Sequence, residues 1–144
     1  YLECYSDSLD RWDNPTSVYT EKLFKKIWEL CQSSENVSIW VAEVGGQVAS
    51  GATVFEWNGH VDYWHGAADS DYFDYRPNDI LHAKIIEDAV NRGKDIYDFN
   101  PSGGHEGVVK FKSGFGPERA SFRRGTSTNR IWEIGQLINN RLSG

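Results

Sequence analysis

The side chains best suited to chemistry lie in and beside residues 95–116, which read DIYDFNPSGGHEGVVKFKSGFG. Asp98 ends a buried-strand pattern, and a partly buried carboxylate at a strand end could act as a general base toward an attacking amine. The same carboxylate could instead cap the following turn by accepting backbone N–H groups. Lys112 could stabilise an oxyanion or bind a phosphate, or it could be a solvated helix lysine. Each residue therefore has a chemical and a structural interpretation.

Two further groups could take part in the same chemistry. His65 follows Trp64 and could relay a proton near neutral pH, although a single histidine is more often a packed or capping residue. Ser102, Gly103 and Gly104 precede a predicted helix, so their N–H groups could face an anion, while Gly-Gly after a strand is commonly only a turn. The histidines lack metal-ligand spacing, so no metal site is predicted.

The first half of the chain predicts two helices and three strands. The first helix covers residues 2–12, and the second follows a cap at Thr16 or Ser17 and ends near Ser33. Strand patterns follow at 37–44, 47–57 and 60–66. Gly45-Gly46 and Asn58-Gly59 tolerate the positive φ angles of type I′ turns, so these strands should form an antiparallel meander.

The second half predicts a crossover onto that meander. A helix should begin at Pro77-Asn78 and end at Gly93, and a strand should cover 95–99. The crossover should be right-handed, which places 95–99 parallel to 60–66. A short helix at 105–113, a strand at 118–124 and a final helix with Ile131, Ile134 and Ile138 complete the order. The fold class is therefore α/β, with an antiparallel meander plus a parallel strand pair in one mixed sheet flanked by helices.

Length and composition favour one globular domain. The 144 residues are 39% hydrophobic, enough to fill one core. No apolar run approaches the ~20 residues of a membrane span, and the acidic N-terminus is unlike a signal peptide, so a cytoplasmic protein is expected. The two cysteines, Cys4 and Cys31, should be free thiols. The absence of Met and the start at Tyr1 suggest a fragment of a longer protein.

The charge is unevenly distributed along the chain. Residues 1–104 carry 8 basic and 18 acidic side chains, whereas residues 105–144 carry 7 basic and 3 acidic ones. The basic tail could attract a phosphate-bearing ligand, but a solvated face is the commoner explanation of such a distribution.

Several motifs together resemble the GNAT acyltransferase superfamily and, within it, the FemAB-like branch. The resemblance depends on Pro77-Asn78 at a helix start, on Tyr97-Asp98-Phe99 in a strand and on residues 107–116, GVVKFKSGFG. It covers residues 1 to about 124. It implies a single GNAT-like domain over 1–144, alone or as the C-terminal half of a two-domain protein. It also implies that an acetyl or aminoacyl group moves from an activated carrier to an amine without a covalent enzyme intermediate.

The resemblance also implies where the site should lie. Where the two parallel strands diverge, a pantetheine-like chain can pair with the freed backbone groups, and a helix N-terminus can attract a pyrophosphate. The family position of Lys112 favours its chemical role. The implied catalytic residues are Asp98, Lys112 and His65, and the implied cofactor-binding residues are Trp64, Gly66, Pro77, Asn78, Asn100, Ser102, Gly103 and Gly104.

Two donors and two functions stay open at this point. The loop before Pro77 carries Asp69, Asp71 and Asp74 in place of an Arg/Gln-x-x-Gly-x-Gly/Ala pattern, so acyl-CoA should bind weakly. Aminoacyl-tRNA is the alternative donor and would need a basic surface, which only the last forty residues or so offer. The acceptor would be a small-molecule or peptidoglycan-precursor amine. The alternative function is a non-catalytic GNAT-like binding or scaffolding half-domain.

Overall fold

A computed structural model describes residues 1–12, 18–103, 105–121 and 123. Five helices and four strands occur in these residues. In chain order they are α1 (Leu2–Arg11), α2 (Glu21–Cys31), β1 (Val37–Val44), β2 (Gln47–Trp57), β3 (His60–Ala68), a 3-10 helix (Ser70–Tyr75), α3 (Pro77–Asn91), β4 (Ile96–Asp98) and α4 (Glu106–Ser113).

The strands form one mixed sheet in the order β1-β2-β3-β4. The β1–β2 and β2–β3 pairs are antiparallel, and β3 pairs with β4 in parallel, as the sequence predicts. Both hairpin turns have positive φ at their two central residues, which are Gly45 and Gly46 in one turn and Asn58 and Gly59 in the other. The predicted type I′ chemistry therefore explains the meander.

Each face of the sheet is covered by different helices. Apolar residues of α3 pack against one face, and this cluster consists of Ala52, Val54, Val61, Leu81, Ile85 and Ala89. The opposite face packs against α1 and α2 through Cys4, Tyr5, Phe24, Ile27 and Ala67. The predicted free thiols are confirmed, with Cys4 buried and Cys31 half-buried. Burial of a large apolar side chain contributes about 1.5–3 kcal/mol, so these clusters hold the helices on the sheet.

Helix α1 is fixed to the end of β3 by polar side chains. The Ser8 hydroxyl lies 3.2 Å from both the N–H and the carbonyl oxygen of Ala68. Arg11 donates to the same carbonyl at 2.7 Å and forms an ion pair with Asp7. Helix α2 begins at Glu21, where the Thr20 side chain accepts a hydrogen bond from the N–H of Leu23; the predicted caps, Thr16 and Ser17, lie outside the described residues. A Thr side chain at this position satisfies an otherwise free first-turn donor.

The C-terminal end of α3 is held by a buried carboxylate on β2. Glu56 accepts hydrogen bonds from both Nη atoms of Arg92, at 2.6 and 2.7 Å, and forms a 2.8 Å ion pair with Lys94. These cations lower the pKa of Glu56, with the Arg92 hydrogen bonds as the largest cause. The crossover helix is therefore anchored where the chain turns toward β4.

The predicted strand at 118–124 is wrong for the residues that the structure describes. Residues 118–121 and 123 belong to no strand, and all are exposed. Pro117 lacks an N–H, and no described strand lies alongside to pair with this segment. The predicted final helix with Ile131, Ile134 and Ile138 lies outside the described residues.

Candidate active site

The parallel strands β3 and β4 separate soon after they meet. Their register consists of three pairs and ends at Asp62 opposite Asp98, whereas β3 continues to Ala68. Residues 63–68 of β3 therefore lie beyond the last β4 partner. Trp64 and Gly66, which the sequence assigns to a gap between the strands, belong to this stretch.

Asn100 bridges the point where the strands separate. Its backbone is left-handed, with a φ of 58°. The Asn100 side-chain amide donates to Asp62 Oδ1 and, at 3.0 Å, to the carbonyl oxygen of Tyr63. A side chain thus pairs with β3 where a backbone group of β4 would otherwise continue the ladder.

The two carboxylates at the last strand pair differ in environment. Asp98 is exposed, and its Oδ1 accepts the N–H of Asn100 at 2.7 Å, which is the capping role that competed with catalysis. Its role as a base stays a prediction. Asp62 is half-buried, and burial, followed by repulsion from Asp98, raises the pKa of its carboxyl group. Asp62 therefore fits the description of a general base better than Asp98 does.

The ammonium group of Lys112 is directed at the loop between β4 and α4. Lys112 is buried, and its Nζ donates to the carbonyl oxygens of Asn100, at 2.8 Å, and Pro101, at 3.3 Å. Burial lowers the pKa of Lys112, partly offset by the nearby Asp98. Solvation of this lysine on the helix surface is excluded. The contacts favour a positioning role through Asn100, and a direct contact with an acyl oxygen stays a prediction.

A bulge in β3 turns two consecutive side chains toward α1 and α2. Thr53 pairs with His65 and Val54 pairs with Tyr63, which leaves Trp64 as the extra residue. Trp64 and His65 consequently share one face of the sheet, as bulges allow. His65 contacts Tyr1 Oη through Nδ1, and burial lowers the pKa of the imidazole to about 4. His65 is therefore neutral at pH 7, and proton relay by it stays a prediction.

The α3 side of the same stretch holds residues that sequence reasoning missed. Tyr63 is half-buried with its hydroxyl over Gly66, where an added Cβ would collide with Tyr63 Oη. His82 is buried, its Nδ1 lies 2.7 Å from Tyr97 Oη, and burial lowers its pKa to about 4. His82 lies four residues after Asn78, so helical spacing could have placed both on one face of α3. Nothing in the sequence marks a single histidine as functional.

The remaining predicted residues surround the start of α3 and the loop before α4. Pro77 is the first residue of α3, followed by Asn78, and no side chain caps this end of the helix. Ser102 accepts the N–H of His105 through its carbonyl oxygen, and Gly103 has a φ of 61°. Gly104 lies outside the described residues. Anion binding at either position stays a prediction.

The sheet, the strand separation and the motifs can be compared with known proteins. A family model for the acetyltransferase (GNAT) domain matches residues 2–113. The chain belongs to the GNAT acetyltransferase family. It is therefore an N-acetyltransferase domain, and GNAT acetyltransferases generally use acyl-CoA and act on amine acceptors. No curated protein sequence matches the chain significantly.

Solved structures share this GNAT fold at low sequence identity. The ribosomal-protein-S18-alanine N-acetyltransferase from Escherichia coli has a TM-score of 0.65 and 16% identity, over 81% of this chain and 72% of that one. An aminoglycoside acetyltransferase from an uncultured soil metagenomic sample, in complex with trehalose, has a TM-score of 0.65 and 12% identity, over 89% and 86%. The same enzyme in complex with sisomicin gives the same values.

The described residues contain neither a metal-binding cluster nor a membrane-spanning helix. No group of three His, Cys, Asp or Glu side chains in the described part of the GNAT domain could hold a metal ion. No helix described in residues 1–123 is long and apolar enough to cross a membrane.

Proposed function

We propose that this GNAT domain transfers an acetyl group from acetyl-CoA to a primary amine by direct attack, and that it belongs to the FemAB-like branch. One observation carries the reaction site: the parallel strands separate beside Asp62, a half-buried carboxylate with a raised pKa. The branch assignment depends on the Pro77-Asn78, Tyr97-Asp98-Phe99 and Phe111-Lys112 motifs.

Acetyl-CoA suits the free edge of β3 and the start of α3. Residues 63–68 of β3 lie beyond the last β4 partner. Asn100 already bonds to Tyr63, and Ser8 and Arg11 already bond to Ala68, so the edge at residues 64–67 is the part available to the amide groups of a pantetheine chain. The N–H of Asn78 has no acceptor within the helix, and the helix dipole attracts anions there. Asp71 and Asp74 are exposed on the 3-10 helix, where solvent weakens their repulsion of a pyrophosphate. Bound there, coenzyme A would supply the acyl group as an activated thioester.

Aminoacyl-tRNA is the less favoured donor. Lys112 is buried against backbone carbonyls, so it adds nothing to a surface that could bind a nucleic acid. Among the basic residues described between positions 105 and 123, Lys110, Arg119 and Arg123 are exposed. These three described cations alone make a small phosphate-binding surface, because each neutralised phosphate adds only about one unit to the salt dependence; the other tail arginines, Arg124, Arg130 and Arg141, lie outside the described residues.

Asp62, Asn100 and Lys112 would each have a separate role in the transfer. Asp62 accepts the proton of the attacking amine, since burial keeps its basicity higher than that of an ordinary aspartate. Asn100 fixes the Asp62 carboxylate, and Lys112 fixes Asn100. Burial raises the pKa of both Cys4 and Cys31, which makes either thiol a poor nucleophile and supports direct transfer.

The test is acyl transfer by the purified chain with acetyl-CoA and a panel of primary amines, and the release of free thiol measures the reaction. Asp62→Asn keeps an oxygen for the Asn100 amide but removes the base, so we expect turnover to fall about 100-fold or more. Asp10→Asn changes an exposed carboxylate and should leave turnover unchanged. Equal turnover in the wild type and Asp62→Asn would contradict the assignment of the base.

Calorimetry with acetyl-CoA separates the alternatives. The acidic 69–74 loop predicts weak binding, and a sub-micromolar affinity would place the chain outside the FemAB-like branch. If the chain neither binds nor turns over acetyl-CoA or an aminoacyl-tRNA, that result would favour the non-catalytic half-domain. Membership of a longer two-domain protein and a cytoplasmic location stay predictions.

A further inference from the structure

A pocket with a volume of about 350 Å³ opens on the α1/α2 side of the sheet, next to the proposed base. Its walls include Phe55 and Trp57 from β2, His60 and Asp62 from β3, and Asp98 from β4. Phe55 pairs with Asp62, and Asp62 pairs with Asp98, so the three lie side by side across the sheet. This volume is at the lower end of small-molecule sites.

The two aspartates in this pocket carry negative charge and have no described salt-bridge partner, although the buried ammonium of Lys112 lies near Asp98. Asp62 and Asp98 each use Oδ1 to accept a hydrogen bond from Asn100. Neither carboxylate forms a salt bridge with any lysine, arginine or histidine that the structure describes. Glu56 also lines the pocket, but Arg92 and Lys94 neutralise its charge. A ligand carrying one positive charge would therefore relieve the repulsion between the two aspartates.

Two further walls of the pocket, Phe55 and Trp57, are large aromatic side chains. Trp57 is 77% exposed, and the Phe55 ring packs against Trp64 with centroids 5.7 Å apart. An exposed tryptophan beside a carboxylate pair attracts an ammonium group through its π face and contacts an alkyl chain through its surface. The hydroxyl groups of a polyhydroxylated ligand that face Phe55 and the Trp57 ring would lose water without polar partners in return.

We propose that this pocket binds the amine acceptor and selects a primary alkylammonium group on an apolar stem. The inference depends on the proposed acyltransfer function and narrows its acceptor. The ammonium contacts Asp62 and Asp98, and the stem lies against Trp57 and Phe55. The shared chemistry covers a free aliphatic amine and the side chain of a lysine in a peptide.

The proton balance of the transfer is consistent with one base. The ammonium gives one proton to Asp62, and the nitrogen lone pair then forms the C–N bond while the C–S bond breaks. A second proton leaves the nitrogen for the departing thiolate, and the third stays as the amide N–H. Asp62 then releases its proton to water, which leaves the pocket ready for another acceptor.

The experiment compares hexylamine, an Nα-blocked lysine peptide and glucosamine as acceptors with acetyl-CoA as donor. The wild type should show a kcat/KM at least about 10-fold higher for the alkylamines than for glucosamine. Preference for hexylamine or for the lysine peptide identifies the source of the amine, and either supports the proposal. Equal kcat/KM for glucosamine and both alkylamines would overturn it.

Two variants test the pocket walls. Trp57→Ala should lower kcat/KM for hexylamine about 5-fold, while Trp28→Ala, an exposed tryptophan on α2, is the matched control. Asp98→Asn keeps the oxygen that accepts the Asn100 N–H, and it should raise KM for hexylamine about 10-fold through the lost charge. Asp10→Asn, which changes an exposed carboxylate on α1, is its matched control. No difference between either variant and its control would contradict the proposal.

Calorimetry of hexylamine without a donor separates this inference from the proposed function. If no donor supports turnover, the proposed function fails, but binding of hexylamine that is weakened by Trp57→Ala and not by Trp28→Ala still supports the pocket. If turnover occurs while hexylamine binding is unaffected by Trp57→Ala, the pocket assignment is wrong and the proposed function stands.

Discussion

Lys112→Met is the most informative single change, because it removes the ammonium and keeps most of the aliphatic stem. Two hydrogen bonds, to the carbonyl oxygens of Asn100 and Pro101, are lost. A hydrogen bond from a charged donor contributes about 1.5–3 kcal/mol, and desolvation of the ammonium, which lowers the pKa of Lys112, offsets part of the sum. We therefore expect the free energy of unfolding to fall by about 2 kcal/mol.

The same change should also slow the reaction. Asn100 orients the Asp62 carboxylate, and a small displacement of a reacting group can cost 10-fold or more, so we expect turnover to fall by about that factor. Lys110→Met is the matched control, since Lys110 is exposed on the same helix. Urea unfolding and thiol release measure the two effects. A Lys112→Met variant as stable as Lys110→Met, but with lost turnover, would refute positioning and favour direct contact with the acyl oxygen.

Three further predictions concern stability. Gly66→Ala should lower the free energy of unfolding by about 1–3 kcal/mol, because the added Cβ would collide with the Tyr63 hydroxyl. Gly107→Ala has open space around it and should not lower this free energy. Thermal unfolding of both variants checks the prediction. Glu56→Gln removes the charge paired with Arg92 and should lower the free energy of unfolding by about 2 kcal/mol. An unchanged urea midpoint would contradict this prediction. Half-buried His65 and buried His82 have pKa values of about 4 in the folded chain, so the unfolded chain binds more protons between pH 4 and 6.5. Stability should therefore fall as the pH decreases through that window, by about 2 kcal/mol per histidine at pH 5, and equal urea midpoints at pH 7.5 and 5 would rule this out.

Much of the fold could be predicted from the sequence because its signals are local. Gly45-Gly46 and Asn58-Gly59 set both hairpins, and Pro77 sets the start of α3. Chain order then requires the crossover that makes β3 and β4 parallel. The strand expected at 118–124 is absent from its described residues, where no described strand lies alongside to pair with it.

The site was harder to predict because it depends on contacts between distant residues. Asp98 and Asp62 are both aspartates in strands, and only the packing of the folded chain leaves Asp62 half-buried and Asp98 exposed. Lys112 lies beside Phe111 in sequence, and periodicity places it at the edge of the buried face without showing that its ammonium meets two carbonyl oxygens. The bulge at Trp64 shifts His65 to the α1/α2 face, and a single-residue shift leaves no trace in composition.

Asn100 explains how the parallel strands separate without leaving buried polar groups unsatisfied. Its left-handed backbone turns the chain away from β3, and its side-chain amide takes over the Tyr63 carbonyl oxygen that a longer β4 would have bonded. Its own N–H and carbonyl oxygen are used by Asp98 and Lys112. Asparagine is among the few residues that adopt positive φ at low cost and also offer an amide donor. The separation that exposes the β3 edge and the orientation of the Asp62 carboxylate therefore have one cause, so a variant that loses the Asn100 amide should impair donor binding and acyl transfer together.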